Sequence, residues 1–191
     1  LNTSFFDKIF GAGKIQTKKE FENEIHKSLE FNYLKEAEFY LNREIEKQIL
    51  SDIKIKIPED YVRSWIKSNN EEENSKKLLN EDFDKYCDQI RWSYIVDTII
   101  EENKIEVENT EIEEMAKNQI QQQLMSSGMQ NMSKDIDKFV DNYLKHNNGE
   151  NYLKIFNELK SNKVFNHVKE SVSITKKSIT FDKFKLLAQK I

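Results

Sequence analysis

The chain has 191 residues, with 30 Lys and Arg against 34 Asp and Glu, so its formal net charge is −4. Only 37% of the residues are apolar and 34% are charged, against roughly 45–50% and about 25% in an average soluble domain. The length fits one medium domain or two small ones. Because 12 Phe, 7 Tyr and 2 Trp supply large side chains for a core, the composition favours helices with narrow apolar stripes and broad charged faces.

Composition and charge argue against several classes of protein. The apolar runs are too short to span a membrane, and mild acidity with interspersed signs argues against nucleic-acid binding. The single cysteine, Cys87, cannot form an internal disulfide. Four Gly and one Pro make a sheet-rich or turn-rich fold unexpected. Since the chain starts at Leu1 and shows no basic-then-apolar leader, we expect a segment of a longer protein.

The first third of the chain predicts a short lead-in and one long helix. Residues 1–16 are expected to lead in from a preceding domain, with an aromatic cluster followed by the helix-breaking Gly11-Ala12-Gly13. Thr17 and Glu20 have the spacing of a capping box, which opens a helix to about Leu50. Isoleucines alternate with lysines at 53–57, which predicts an extended joint that completes segment 17–57.

Segment 58–107 predicts a helical hairpin. Pro58 opens its first helix, and the polar stretch from Ser68 to Ser75 is interpreted as a connector. The return helix is predicted over Leu78–Glu102 and carries two apolar lines. These imply either burial on two sides, or burial of one side while the other is offered to a partner. Residues 103–107 are predicted to be a brief extended joint.

Segment 108–148 predicts a second hairpin, and segment 149–191 a closing helix and tail. A second capping box is expected at Thr110–Glu113, and Asn148-Gly149 is expected to stop the helix that follows the break at 125–132. A further helix is predicted from Tyr152 to about Ser171, then an extended tail and a short helix after Thr180. The pattern as a whole predicts an all-α fold with short extended joints only.

Each candidate catalytic or metal-binding motif in the sequence lacks a residue or a spacing that its chemistry requires. Gly11-Ala12-Gly13-Lys14 resembles the end of a phosphate-binding loop, but Ile15 stands where Ser or Thr would hold magnesium. The three histidines lie on different predicted helices and have no metal-ligand spacing. Cys87 lies on an apolar stripe, which favours inert packing. We therefore expect no catalytic residues, no metal site and no cofactor in this segment.

The remaining candidate chemistry is apolar surface. Met125, Met129 and Met132 lie in a predicted break, and methionine suits surfaces that accept varied apolar partners. The alternative, that these residues pack back into a hairpin core, stays open. Trp65, Trp92 and Phe139 leave the same two interpretations open.

Several segments in unbroken order resemble the C-terminal, SurA-like chaperone domain of bacterial trigger factor. They are residues 5–11, 57–65, 89–96, 101–107, 112–116, 163–165 and 172–184, and together they extend over nearly the whole chain. The resemblance implies an extended helical body with two helical-hairpin arms, the first at 58–107 and the second at 108–148. It also implies an ATP-independent, cytoplasmic chaperone that cradles nascent or unfolded polypeptides.

The resemblance places other trigger factor activities outside this chain. Ribosome binding would belong to a domain that the chain lacks, and peptidyl-prolyl cis-trans isomerase activity to a domain of the parent protein. A weak homodimer through exposed apolar patches stays open, as do two alternatives: a SurA-like export chaperone segment and a structural oligomerisation module. We hypothesise that clients contact a set of apolar residues at the arms: Trp65, Ile66, Leu78, Leu79, Leu124, Met125, Met129 and Met132.

Overall fold

The computed structural model of the protein describes residues 3–11, 13–126 and 136–189. Within these residues every regular element is an α-helix, which confirms the predicted all-α fold. Stretches without regular structure join several of the helices, at 53–58, 105–108 and 173–180. The helices of the described part are α1 (Thr3–Phe10), α2 (Lys18–Asp52), α3 (Glu59–Asn69), α4 (Glu72–Asn80), α5 (Phe83–Asn103), α6 (Asn109–Ser126), α7 (Ile136–Ser171) and α8 (Phe181–Ala188).

The chain divides into two compact units. One unit consists of residues 1–52 with 178–191, and the other of residues 53–177. The predicted subdivision into lead-in, long helix, two arms and closing tail stays a prediction.

In the first unit, α1 packs on the beginning of α2 through phenylalanine rings. Phe6 stacks on Phe21 with the ring centroids 4.7 Å apart, and Phe10 meets the same ring edge-on at 5.6 Å. The predicted capping box is confirmed, because Glu20 N donates to Thr17 Oγ1 at 3.2 Å and Thr17 N donates to Glu20 Oε2 at 3.1 Å. Both backbone donations from Gln16 and Thr17 lower the pKa of Glu20.

In the second unit, α3, α4 and α5 enclose a small core. The α3–α5 core consists of Val62, Ile66, Phe83 and Cys87, and it is flanked by half-buried side chains from α4. Two predictions about this region are wrong. The expected connector from Ser68 to Ser75 is mostly helical, and the expected single helix over Leu78–Glu102 is interrupted between α4 and α5. The interruption lets α4 fold against α3, so that its leucines reach the core.

Helix α5 is buried on two sides, which is one of the two arrangements that its two apolar lines leave open. One side contributes Phe83 and Cys87 to the α3–α5 core. On the other side, Trp92 stacks on Phe165 of α7 at 5.4 Å, and Lys160 Nζ of α7 lies 2.6 Å from Asp97 Oδ1. Helix α5 therefore joins the α3–α5 core to α7.

Helix α6 packs along α7 around a separate core. The residues buried there are Ile112, Ala116, Ile136, Val140 and Ile155. The prediction that Asn148-Gly149 stops a helix is confirmed, because α7 is interrupted at 146–149. Asn147, Asn148 and Gly149 have φ values of 47°, 57° and 86°, in the left-handed region that Gly and Asn tolerate best.

The predicted capping box at Thr110–Glu113 is wrong by two residues. Helix α6 begins at Asn109, and Glu111 Oε2 accepts a hydrogen bond from Glu108 N at 2.8 Å. The carboxylate that reaches back therefore belongs to Glu111 rather than Glu113. The same Glu111 oxygen also accepts a hydrogen bond from Lys163 Nζ of α7 at 2.6 Å.

Candidate binding surface

Helix α3 presents two aromatic side chains on its solvent side. Tyr61 is 69% exposed and Trp65, one turn further along, is 45% exposed. The residues that follow each of them, Val62 and Ile66, point into the α3–α5 core. Large aromatic side chains that are exposed side by side mark candidate binding surfaces. We call Tyr61 and Trp65 the aromatic pair.

Polar contacts at the end of α3 fix the helix that carries the aromatic pair. The buried hydroxyl of Ser75 donates to the carbonyl oxygen of Ile66 at 3.2 Å, and Asn70 Nδ2 donates to the same oxygen at 3.0 Å. These donors satisfy a carbonyl that the end of a helix leaves without an intrahelical partner. The aromatic pair therefore lies on an anchored helix rather than on a loop.

A cation–π contact anchors the same helix from its other side. The guanidinium carbon of Arg63 lies 3.5 Å from the centroid of the Phe83 ring. Since Phe83 is the first residue of α5, the contact ties α3 to α5 across the core. Charged side chains surround the aromatic pair along α3, with Glu59 and Asp60 before it and Lys67 after it, all exposed.

The structure places the predicted client-contact residues in three different environments. Trp65 is exposed, whereas Ile66 is fully buried, so the Ile66 side chain stabilises the α3–α5 core and offers no surface to a client. Leu78 and Leu79 are half-buried and pack against the same core. Leu124 is half-buried on α6. The side chains of Met125, Met129 and Met132 lie outside the described residues.

Tyr61 is the exposed aromatic residue that the sequence-based list misses beside Trp65. Its spacing is the signal that could have found it, because residues four apart on a helix lie on the same face. Other exposed aromatic or large apolar side chains of the second unit lie on α5 and α7, among them Tyr94 at 63% and Leu153 at 57%.

The titratable groups with displaced pKa values have structural partners. Burial is the largest cause that raises the pKa of the Cys87 thiol, and Cys87 is only 2% exposed. The hydrogen bond from Lys163, followed by the one from Glu108 N, lowers the pKa of Glu111. Cys87 packs within the α3–α5 core, and Glu111 joins α6 to α7.

The glycine-rich segment has an internal partner where a phosphate-binding loop would need a free amide. Gly13 N donates to Asp7 Oδ1 at 2.9 Å, which places a carboxylate against that amide. A bound phosphate would be repelled by this charge. In the described part of the chain, no three His, Cys, Asp or Glu residues are grouped as a metal site. None of the described helices is long and apolar enough to cross a membrane.

Comparison with known proteins gives one match. The family described as probable trigger factor, C-terminal domain, matches residues 37–188, which is most of the chain. No curated protein and no solved structure matches it. The match begins within α2 and covers helices α3 to α8. The chain therefore belongs to the trigger factor C-terminal domain family.

Proposed function

We propose that this chain is an ATP-independent chaperone segment that binds unfolded or nascent polypeptides and prevents their aggregation. The family supports a chaperone-type function. The observation that carries the proposal is the exposed aromatic pair, Tyr61 and Trp65, on the anchored helix α3. We further propose that it works in the cytoplasm, within a trigger factor-like protein.

The aromatic pair suits a partner without defined structure. Tyr and Trp offer large apolar area at low conformational cost, and each also carries one polar group that hydrogen-bonds a backbone. Two such rings capture one or two apolar side chains of a client, which gives weak and reversible binding. The charged residues around the pair keep the occupied surface hydrated.

One of the predicted client-contact residues does not belong to the proposed client surface. Ile66 leaves it because its side chain is fully buried. Leu78 and Leu79 contribute what their half-buried side chains expose, and Leu124 does the same on α6. The methionines at 125, 129 and 132 lie outside the described residues and stay part of the proposal, because methionine side chains accept varied apolar partners.

Light scattering from a chemically denatured client diluted into buffer tests this function. We expect the chain to suppress scattering without ATP, and an added unfolded peptide to reverse the effect. The variant Tyr61→Gln/Trp65→Gln should raise the chain concentration needed for half suppression severalfold. Tyr94→Gln is the matched control, since it removes another exposed aromatic ring from α5.

Two outcomes would count against the proposal. If the chain did not suppress client scattering over a wide concentration range and formed a stable oligomer in sedimentation, an oligomerisation module would be favoured. An equal loss of suppression in the Tyr94→Gln control would show that apolar surface in general, rather than the aromatic pair, is responsible.

A further inference from the structure

Helix α8 lies on one side of α2 through two aromatic contacts within the first unit. The Phe181 ring lies 5.6 Å from that of Tyr33, and the Phe184 ring lies 5.8 Å from that of Tyr40, at an angle of 62°. Tyr33 and Tyr40 are two helical turns apart and therefore share a side of α2. We call Tyr33 and Tyr40 the α8 seat.

The contacts that hold α8 are few. Not one of its eight residues is buried, and Phe181 remains 57% exposed even while it contacts Tyr33. The side chain of Thr180, at the N-cap position, makes no capping hydrogen bond. Helices this short are unstable alone in water. The helical form of α8 therefore depends on its contacts with the α8 seat, and displacing α8 from these contacts requires little free energy.

We propose that the α8 seat is a binding site for polypeptide segments that present two aromatic side chains one helical turn apart, and that α8 is the chain's own occupant of this site. An external segment binds by displacing α8. The inference extends the proposed polypeptide binding to a second surface and rests on that function for the identity of the external segment.

The described contacts define the chemistry of the occupant. Phe181 and Phe184 are three residues apart, so that both rings reach the seat from one side of a helix. Ala37 and Glu36 lie between the two tyrosines on the same side of α2, and Ala37 leaves room for an approaching backbone.

Covalent attachment gives α8 an advantage over any external segment. A tethered segment is present near its site at an effective concentration of the order of millimolar. An external peptide of equal intrinsic affinity consequently binds the intact chain more weakly than a chain whose α8 is released. This difference is the quantity to measure.

The test uses a labelled peptide with the sequence of residues 178–189, SITFDKFKLLAQ. It is titrated to about 1 mM, the range set by the tether, and binding is followed by shifts of α2 amide signals in NMR spectra. We expect the full chain carrying Phe181→Ser/Phe184→Ser to bind it about tenfold more tightly than the intact chain. Adding Tyr33→Ser/Tyr40→Ser to the released variant should abolish binding.

Two controls keep the test specific. A peptide with serine at both phenylalanine positions should not bind. The variant Leu186→Ser/Leu187→Ser changes residues that are 61% and 41% exposed, and we expect it to leave α8 in place and peptide binding as weak as in the intact chain. Circular dichroism should show that each variant keeps the helices outside α8.

The outcomes separate this inference from the proposed function. Three outcomes would contradict the proposal that the α8 seat is a binding site. They are equal peptide binding to the intact and released chains, no binding to either chain, and binding that persists without the two tyrosines. If the seat fails while the chain still suppresses aggregation through Tyr61 and Trp65, the chaperone proposal stands alone. If the peptide binds as expected but no client is protected, the chaperone proposal is the one that is wrong.

Discussion

Lys163 Nζ on α7 donates to Glu111 Oε2 on α6 at 2.6 Å, and the same ammonium group donates to the carbonyl oxygen of Glu106 at 2.6 Å. Glu111 Oε2 also accepts from Glu108 N at 2.8 Å. One carboxylate and one ammonium group thus fix three places at once: the joint before α6, the first turn of α6, and the second half of α7. Charge-assisted hydrogen bonds of this kind are stronger than neutral ones.

The Glu111 carboxylate predicts a pH dependence of stability with a definite sign. Its pKa is lowered in the folded chain, first by Lys163 and then by Glu108 N. A lowered folded pKa contributes stability that is complete above the unfolded value, about 4.3, and is lost as the pH falls through the folded value. At neutral pH we expect Glu111→Gln to unfold at lower urea concentration than the wild type, with a difference that shrinks below about pH 4.

Urea unfolding followed by circular dichroism, from about pH 3 to about pH 8, measures this difference. Glu113→Gln is the control, because Glu113 is exposed on the same helix two residues further on. It should change little at any pH. If the stability lost in Glu111→Gln stayed the same down to the lowest pH, the charge of the Glu111 carboxylate would not be the source of that stability.

The neighbours Trp65 and Ile66 should separate binding from stability. Ile66 is fully buried, so that Ile66→Ala should cost about 2–5 kcal/mol of unfolding free energy. Trp65→Gln changes a side chain that is 45% exposed and should cost less than about 1 kcal/mol, while it weakens client capture. Urea denaturation of both variants decides this, and equal costs would mean that Trp65 belongs to the core.

Local signals in the sequence predict those features whose partners lie within a few residues. The capping box of Thr17 and Glu20 is confirmed because both of its members are local. The predicted start of α6 is wrong by two residues: Glu111, which also accepts a hydrogen bond from Lys163, 52 positions away, takes the role expected of Glu113. A residue that distant contributes nothing to a local pattern.

The candidate surface is predicted less well than the fold for a similar reason. Helical spacing indicates that Trp65 and Ile66 lie near one apolar stripe, but it does not tell which side another helix covers. That choice follows from the interruption between α4 and α5, which lets Leu78 and Leu79 pack against the core that contains Ile66, whereas Trp65 stays exposed. The interruption carries no Gly or Pro to mark it in the sequence.

The thiol of Cys87 should report on the opening of the α3–α5 core. It is 2% exposed, and burial raises its pKa, so that little reactive thiolate is present at neutral pH. We expect its reaction with an aromatic disulfide reagent to be about a hundredfold or more slower in the native chain than in urea. Ile66→Ala should accelerate it, because the two residues share one core, whereas Trp65→Gln should not. Rapid native labelling would show that this core opens readily.

Gly149 lies in the interruption of α7, and its backbone conformation predicts a graded effect of substitution. Its φ is +86°, and a Cβ added there would meet its nearest atom, the carbonyl oxygen of Leu144, at 4.0 Å. Since there is space, the cost of Gly149→Ala comes from the left-handed backbone alone, about 1 kcal/mol. Gly149→Asn should cost less, because asparagine tolerates this region, as Asn147 and Asn148 do beside it. Urea unfolding of both variants measures which of them loses more unfolding free energy. A neutral Gly149→Ala would mean that residue 149 is not held left-handed, so that the interruption of α7 would depend on residues 146–148 alone.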